Sequence, residues 1–353
     1  MIDFSGVKQI RIPEGYVKKI TRGTEILWQL NTKAVPTYHK KLTDLGAARN
    51  YPAGAAIGNY ALFGGGYGAD FINTVDTYNV SSLTKSTASS LTKARTALSA
   101  ATAGTGYVVF AGGIDSTFGP VNSVDAYNSS LTKSMYTTGK TLTTARSFMG
   151  SGSIGNYAVF AGGTASSGAV TTVDAYNSSF TKAGSTSGLS TARAALAGAS
   201  VGDYLIFGGG EGSSAIDAYN SSLTKNSNIT GLSAARGSLA ATSTTNYAIF
   251  GGGNASGTVD AYNASLTRTI APSMAGNKEL AATKLGEFAI FGGGTSVSNS
   301  TASNVVTAYD DSLTKTELTS LTTARGNLGA ATIGNYAIFA GGGTSAAAEA
   351  YTL

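Results

Sequence analysis

Along most of the chain, apolar and polar residues come in runs of four or five bounded by Gly, Asn and Ser. This is the pattern of short strands joined by tight turns. Tyr157-Ala158-Val159-Phe160-Ala161, followed by Gly162-Gly163, is one example, and the segment recurs seven times. Its aromatic pairs are Tyr60/Phe63, Tyr107/Phe110, Tyr157/Phe160, Tyr204/Phe207, Tyr247/Phe250, Phe288/Phe291 and Tyr336/Phe339, spaced 41 to 50 residues apart. After each comes a Val-Asp-Ala-Tyr-like run, marked by Tyr78, Tyr127, Tyr176, Tyr219, Tyr262, Tyr309 and Tyr351. Before each stands a basic residue: Arg49, Arg95, Arg146, Arg193, Arg236, Lys278 and Arg325.

One repeat therefore reads as four strands. Strand a follows the basic residue, b is the aromatic segment, c the Val-Asp-Ala-Tyr run, and d opens on Leu-Thr-Lys. Gly155-Asn156 suits a two-residue a–b hairpin turn, and Asn177-Ser178-Ser179 has the Asx and Ser chemistry of a tight c–d turn. Strand a is rich in Ala, Gly and Ser, as expected of the innermost strand, where blades converge. A helix over residues 189–199 is the competing reading, but its counterpart at 145–154 carries Gly and Ser where a helix is weakened. A period near 45 residues is that of propeller blades. The last copy ends at strand c, while residues 35–41 form a strand-like segment with no blade of its own. Supplying that segment as the missing outer strand closes the ring and removes its edge. The expected fold is all-β: a seven-bladed β-propeller over residues 32–353, preceded by a small β-rich module at 1–31.

The residues resemble the kelch family: an Arg after a small residue, a b-strand ending in a Gly doublet (Gly162-Gly163, Gly208-Gly209-Gly210) and a following Tyr. The resemblance covers roughly residues 34–353. It departs from the family in strand d, where kelch repeats usually carry Trp and this chain has Leu131, Phe180 or Leu223. Trp28 lies outside the ring. Kelch propellers include a copper oxidase, galactose oxidase, whose thioether-linked cofactor needs a cysteine, and this chain has none.

The first 31 residues lack the repeat. Residues 7–12 alternate, Pro13-Glu14-Gly15 turns, 16–20 form a second run, and Arg22-Gly23-Thr24 turns into Ile26-Leu27-Trp28. Three short strands cannot bury enough surface to stand alone, so the module is expected to dock on the propeller as an ordinary β-extension, on another copy, or on a larger assembly to which it attaches the chain. Its IPEGYVKKITRGTEILW stretch is similar to segments of phage and prophage virion or tail proteins of gut Firmicutes. That resemblance implies a virion location. There is no signal-peptide pattern and no apolar run of membrane-spanning length.

Composition narrows the chemistry. With no Cys and a single His, His39, thiolate and His-based metal sites and Ser-His triads lack their residues. The net charge of +5 is spread singly, without a nucleic-acid arm. Carboxylates recur at one repeat position (Asp76, Asp125, Asp174, Asp217, Asp260), unlike a catalytic pair, which needs two different environments. The expected protein is therefore a binder without cofactor or metal rather than an enzyme. Arg95/Asp125, Arg146/Asp174 and Arg193/Asp217 are expected to form structural charge pairs across the Gly doublet. An Arg ring lining the channel as an anion site is the alternative. Loop length varies only on the b–c and d–a face, where Tyr67, Asp70, Phe71, Asp115, Phe118 and Tyr136 suit a sugar ring or a protein partner. The expected role is a virion-associated adhesin that recognises a cell-surface glycan or protein. The alternative is a cytoplasmic kelch scaffold.

Overall fold

The computed structural model describes residues 19–22, 25–29, 34–134, 139–226, 228–254 and 257–353. It divides into two compact units, Met1–Val35 and Pro36–Leu353. In the first, strand Lys19–Arg22 pairs antiparallel with Glu25–Gln29, bringing Ile20 opposite Trp28. This is the second hairpin expected there. The run at 7–12 and its turn lie outside the described residues.

The second unit is a seven-bladed β-propeller. Blade one shows the plan: strand a is Ala53–Ile57, b Tyr60–Gly64, c Val75–Asn79 and d Lys85–Ala88, each antiparallel to the next. The other blades repeat it, and in blade three strand d shortens to a single bridge between Tyr176 and Lys182. Residues 189–196 form no helix, and strand a of that repeat is Ala197–Val201. Among the described residues, no helix is long and apolar enough to cross a membrane.

Strand a of each blade lies beside strand a of the next. Close approach explains its small residues: a Cβ on Gly54 would meet the Ala330 carbonyl oxygen at 2.5 Å. The hydroxyls there satisfy carbonyls of neighbouring blades, as Thr102 Oγ1 donates to Ala56 O at 2.8 Å and Ser151 Oγ to Ala100 O at 2.9 Å. Apolar residues of adjacent blades meet in seven interblade cores, one between every neighbouring pair, including the last blade and the first. Within each blade the strand-b Phe and the strand-c Tyr pack edge to face, with centroids 5.9–6.2 Å apart. Such pairs add about 0.5–1.5 kcal/mol beyond the area they bury.

The ring closes as expected. Thr37–Lys41 pairs with Ala348–Thr352 as the outer strand of blade seven, with a bulge at His39. Joining both ends of the chain in one sheet leaves no open blade edge at the seam.

Candidate functional site

The d–a and b–c loops share one face, and beneath it lies an ionic layer. Arg146 Nη1 donates to Asp174 Oδ2 at 2.7 Å, Arg95 Nη1 to Asp125 Oδ2 at 2.9 Å and Arg193 Nη2 to Asp217 Oδ2 at 2.7 Å. Arg236–Asp260 and Arg49–Asp76 repeat the pair. Each Arg is fully buried, lies over the glycines that end strand b and donates to their neighbouring carbonyls, as Arg146 Nε does to Gly162 O at 2.8 Å. Glycine is required there: Gly66 has φ +115°, and a Cβ on it would meet Arg49 Cβ and Cδ at 3.0 Å. The second carboxylate oxygen is also used. Asp174 Oδ1 lies 2.8 Å from Lys182 Nζ and accepts from the Thr143 hydroxyl at 2.6 Å. Burial works to raise the Asp125 and Asp174 carboxyls, but the Arg, Lys and Thr partners outweigh it and hold both below the ordinary value. These guanidiniums are buried and paired, so they do not line an open channel as an anion site.

Two repeats depart from this plan: the loss of both members in blade six, with Thr307 at the Asp position, is readable from the sequence, whereas Asn277 and Glu349 are not. In blade seven the partner of Arg325 is Glu349, at 2.8 Å. In blade six the residue at the Arg position is Asn277, not Lys278. Asn277 Nδ2 donates to Gly293 O at 3.0 Å, as Arg193 does to Gly209 O at 3.1 Å. Thr307 replaces the Asp, and Lys315 turns instead to Glu317 at 2.8 Å.

Above this layer lies a ring of a different kind. The second residue after each Arg position is Tyr51, Ala97 and Phe148 in blades one to three, and Ala195, Ser238, Glu279 and Asn327 in blades four to seven. All seven have left-handed backbone, with φ between 51° and 59°. In six of the seven, the amide donates to the ring residue of the preceding blade: Phe148 N to Ala97 O at 3.1 Å, and Ala195 N to Phe148 O, Ser238 N to Ala195 O and Glu279 N to Ser238 O, each at 2.9 Å. Asn327 N to Glu279 O and Tyr51 N to Asn327 O continue the series at 2.8 Å. The residue that follows, Leu or Met in six blades and Pro52 in the first, packs downward. Together they line one cavity of about 220 Å³ touched by all seven blades, which places it on the propeller axis at the channel mouth.

Glu279 is the only charged residue among those lining the cavity. Its Oε2 accepts from Thr295 Oγ1 at 2.9 Å, and it has no ion pair among the described residues. Tyr51 and Phe148 meet edge to face at 5.8 Å. The Tyr51 hydroxyl is raised from its ordinary pKa by burial and by the Glu279 charge, with a hydrogen bond from Asn327 opposing, so it stays protonated near neutrality.

The described loop residues among those singled out from the sequence lie on this face over blades one and two, and three of them form a chain. Tyr67 packs edge to face on Phe71 at 5.1 Å, and Phe71 on Phe118 at 5.5 Å. Phe118 is 78% exposed and sits at φ +56°, an uncommon conformation for a bulky residue. Asp70 is exposed beside Phe71 and accepts its amide at 2.7 Å. Asp115 is occupied by its own loop: it accepts from Thr117 N and Oγ1 at 3.0 and 2.6 Å, lies 3.3 Å from Lys93 Nζ, and is held below its ordinary pKa mainly by Thr117. Tyr136 lies outside the described residues. Among the described residues, no group of three His, Cys, Asp or Glu converges as a metal site.

No protein-family model matches this chain, and no curated protein matches it. Among solved structures, that of YjhT superposes with a TM-score of 0.58, covering 78% of this chain and 99% of its own at 13% identity. A likeness at that identity concerns the fold alone, and the fold it supports is the β-propeller.

Proposed function

We propose that this chain is a non-enzymatic binding protein, a phage or prophage virion adhesin that holds a cell-surface glycan on the loop face of its propeller. The observation that carries the reading is the exposed aromatic chain, above all Phe118. A large apolar ring stands there in the left-handed position while 78% exposed, so little burial compensates the strain. An aromatic face beside an exposed carboxylate, Asp70, suits a sugar ring, which stacks its C–H groups and donates its hydroxyls. The propeller supplies the rigid platform on which such loops usually act. Residues 1–31 serve attachment in this reading, supported by the absence of the blade repeat there and by the segment similar to virion proteins.

The test is a glycan array with the full chain and with Phe118→Ala. A glycan bound by the first and lost by the second supports the reading. A blank array together with a defined protein captured through the same aromatic residues would favour the cytoplasmic scaffold instead.

A further inference from the structure

The cavity at the channel mouth is separate from the aromatic chain and carries its own chemistry. Left-handed backbone costs a residue with a Cβ about 1–2 kcal/mol, and glycine escapes that cost. The chain contains 47 glycines, and none stands at the seven ring positions. Side chains are therefore retained where backbone geometry favours their removal. They are also not of one kind: the flanking Arg and Leu positions nearly repeat, while the residue between them is Tyr, Ala, Phe, Ser, Glu or Asn. A purely structural ring would settle on one kind of residue, as the c–d turns do with Leu in five copies and Phe in one.

The lining limits the occupant. A space of about 220 Å³ holds one ring or one side chain, below the size of ordinary small-molecule pockets, about 300–1,000 Å³. Its floor is apolar, from Leu98, Met149, Leu196 and Leu239. Its only charge is Glu279. The arginines beneath are each neutralised by a carboxylate, and Lys278 does not line the space. Thr295 holds Glu279 Oε2, and among the described residues Oε1 has no hydrogen-bond partner. One free oxygen suits a compact ammonium better than the two-pronged guanidinium, which asks for both. The edge-to-face Tyr51 and Phe148 rings add surface that attracts a cation on an apolar stem.

We propose that the channel mouth, formed by Tyr51, Phe148, Ser238 and Glu279, is a binding site for a primary ammonium group on a short apolar stem, such as a lysine side chain. The ammonium faces Glu279 Oε1, and the stem lies against the leucine and methionine floor.

The test uses the full chain and three probes in calorimetry: Nα-acetyl-lysine methylamide, its norleucine analogue, which keeps the stem and lacks the ammonium, and n-pentylammonium. The lysine probe is expected to bind about tenfold or more tighter than the norleucine probe. Glu279→Gln, whose backbone bond to Ser238 is unaffected, should erase that difference. Phe148→Ala should weaken both peptide probes, and Phe118→Ala should change neither, which keeps this site distinct from the aromatic chain. If n-pentylammonium matches the lysine probe, the natural ligand is a free amine; if the lysine probe is tighter, it is a polypeptide side chain. Equal binding of lysine and norleucine probes would overturn the proposal. So would unaltered binding by Glu279→Gln, tighter binding of methyl glucoside than of the amines, or no heat with any amine at about 20 mM.

Discussion

The propeller carries two sets of left-handed residues, one at each end of its blades, and they differ in what the sequence puts there. At the c–d turns the residue is Leu83, Leu131, Phe180, Leu223, Leu266 or Leu313, always large and apolar, with φ between 53° and 60°. Leu83 is 5% exposed and belongs to the core between blades seven and one. At the channel mouth the same backbone conformation carries six different residue types around an open cavity. The same strain thus has two compensations: burial of apolar surface at the turns, and side chains presented to a shared space at the mouth. Strain that packing does not repay is the kind that collects at functional sites.

The contrast depends on the ionic layer that fixes the mouth loops, and breaking that layer should have the largest effect. Arg146→Ala leaves Asp174 buried with only Lys182 and Thr143, and removing one partner of a buried pair typically costs about 3–5 kcal/mol. Blade six keeps the blade fold with both members replaced, by Asn277 and Thr307. Arg146→Asn combined with Asp174→Thr should therefore cost less than Arg146→Ala alone, measured by urea unfolding. Greater damage from the double change would mean that the pair itself, rather than its matching, holds the loops.

A second break acts at the other end. Leu83→Gly relieves left-handed strain of about 1–2 kcal/mol but empties a core site, where Leu truncation costs about 2–5 kcal/mol. A net loss of about 2 kcal/mol is expected in the same assay. For the aromatic chain, Phe118→Ala should leave stability nearly unchanged and cost about 2 kcal/mol of glycan binding if Phe118 is an anchor. A fall in melting temperature without change in binding would reduce Phe118 to loop packing.

Acid should loosen the mouth before the turns. The Asp125 and Asp174 carboxyls are held below their ordinary value of 3.8 in the folded chain, so the unfolded chain binds protons first. Their stabilisation is complete above that value and is lost as pH falls through the folded values. Stability measured from pH 6 downward should stay flat until about pH 4 and then decline. In Asp125→Asn combined with Asp174→Asn, the decline should be shallower.

How much of this was legible follows from how repeats inform. The Arg, the Gly doublet and the strand-c Asp recur in register, so their pairing could be proposed from spacing, and the orphan segment at 35–41 exposed the closure. The Glu349 and Asn277 substitutions were missed because a motif search slides to the nearest familiar residue, which made Lys278 stand in for Asn277. The mouth ring was invisible for the opposite reason: what marks it is variation in a fixed frame, Arg-x-X-Leu, and a reading that collects what repeats passes over what does not. Asp115 could not be separated from Asp70 by type. Its Asx turn with Thr117 is a matter of loop geometry.

The smallest expected effect is the most direct test of the comparison. Ala195 contributes one methyl to the mouth and holds φ +54°. Replacing it with Gly removes left-handed strain of about 1 kcal/mol but adds unfolded-chain entropy of about 0.5–1 kcal/mol, so the two nearly cancel. Ala195→Gly should therefore shift unfolding by less than about 0.5 kcal/mol in either direction, where Leu83→Gly loses several times as much. The hydrogen bonds through the Ala195 amide and carbonyl are kept, since both belong to the backbone. If Ala195→Gly proves as damaging as Leu83→Gly, the mouth residues are packing elements like the turn leucines, and their variety needs another cause. If it is neutral, the backbone ring stands without its side chains, and what those side chains do must be looked for in the cavity they face.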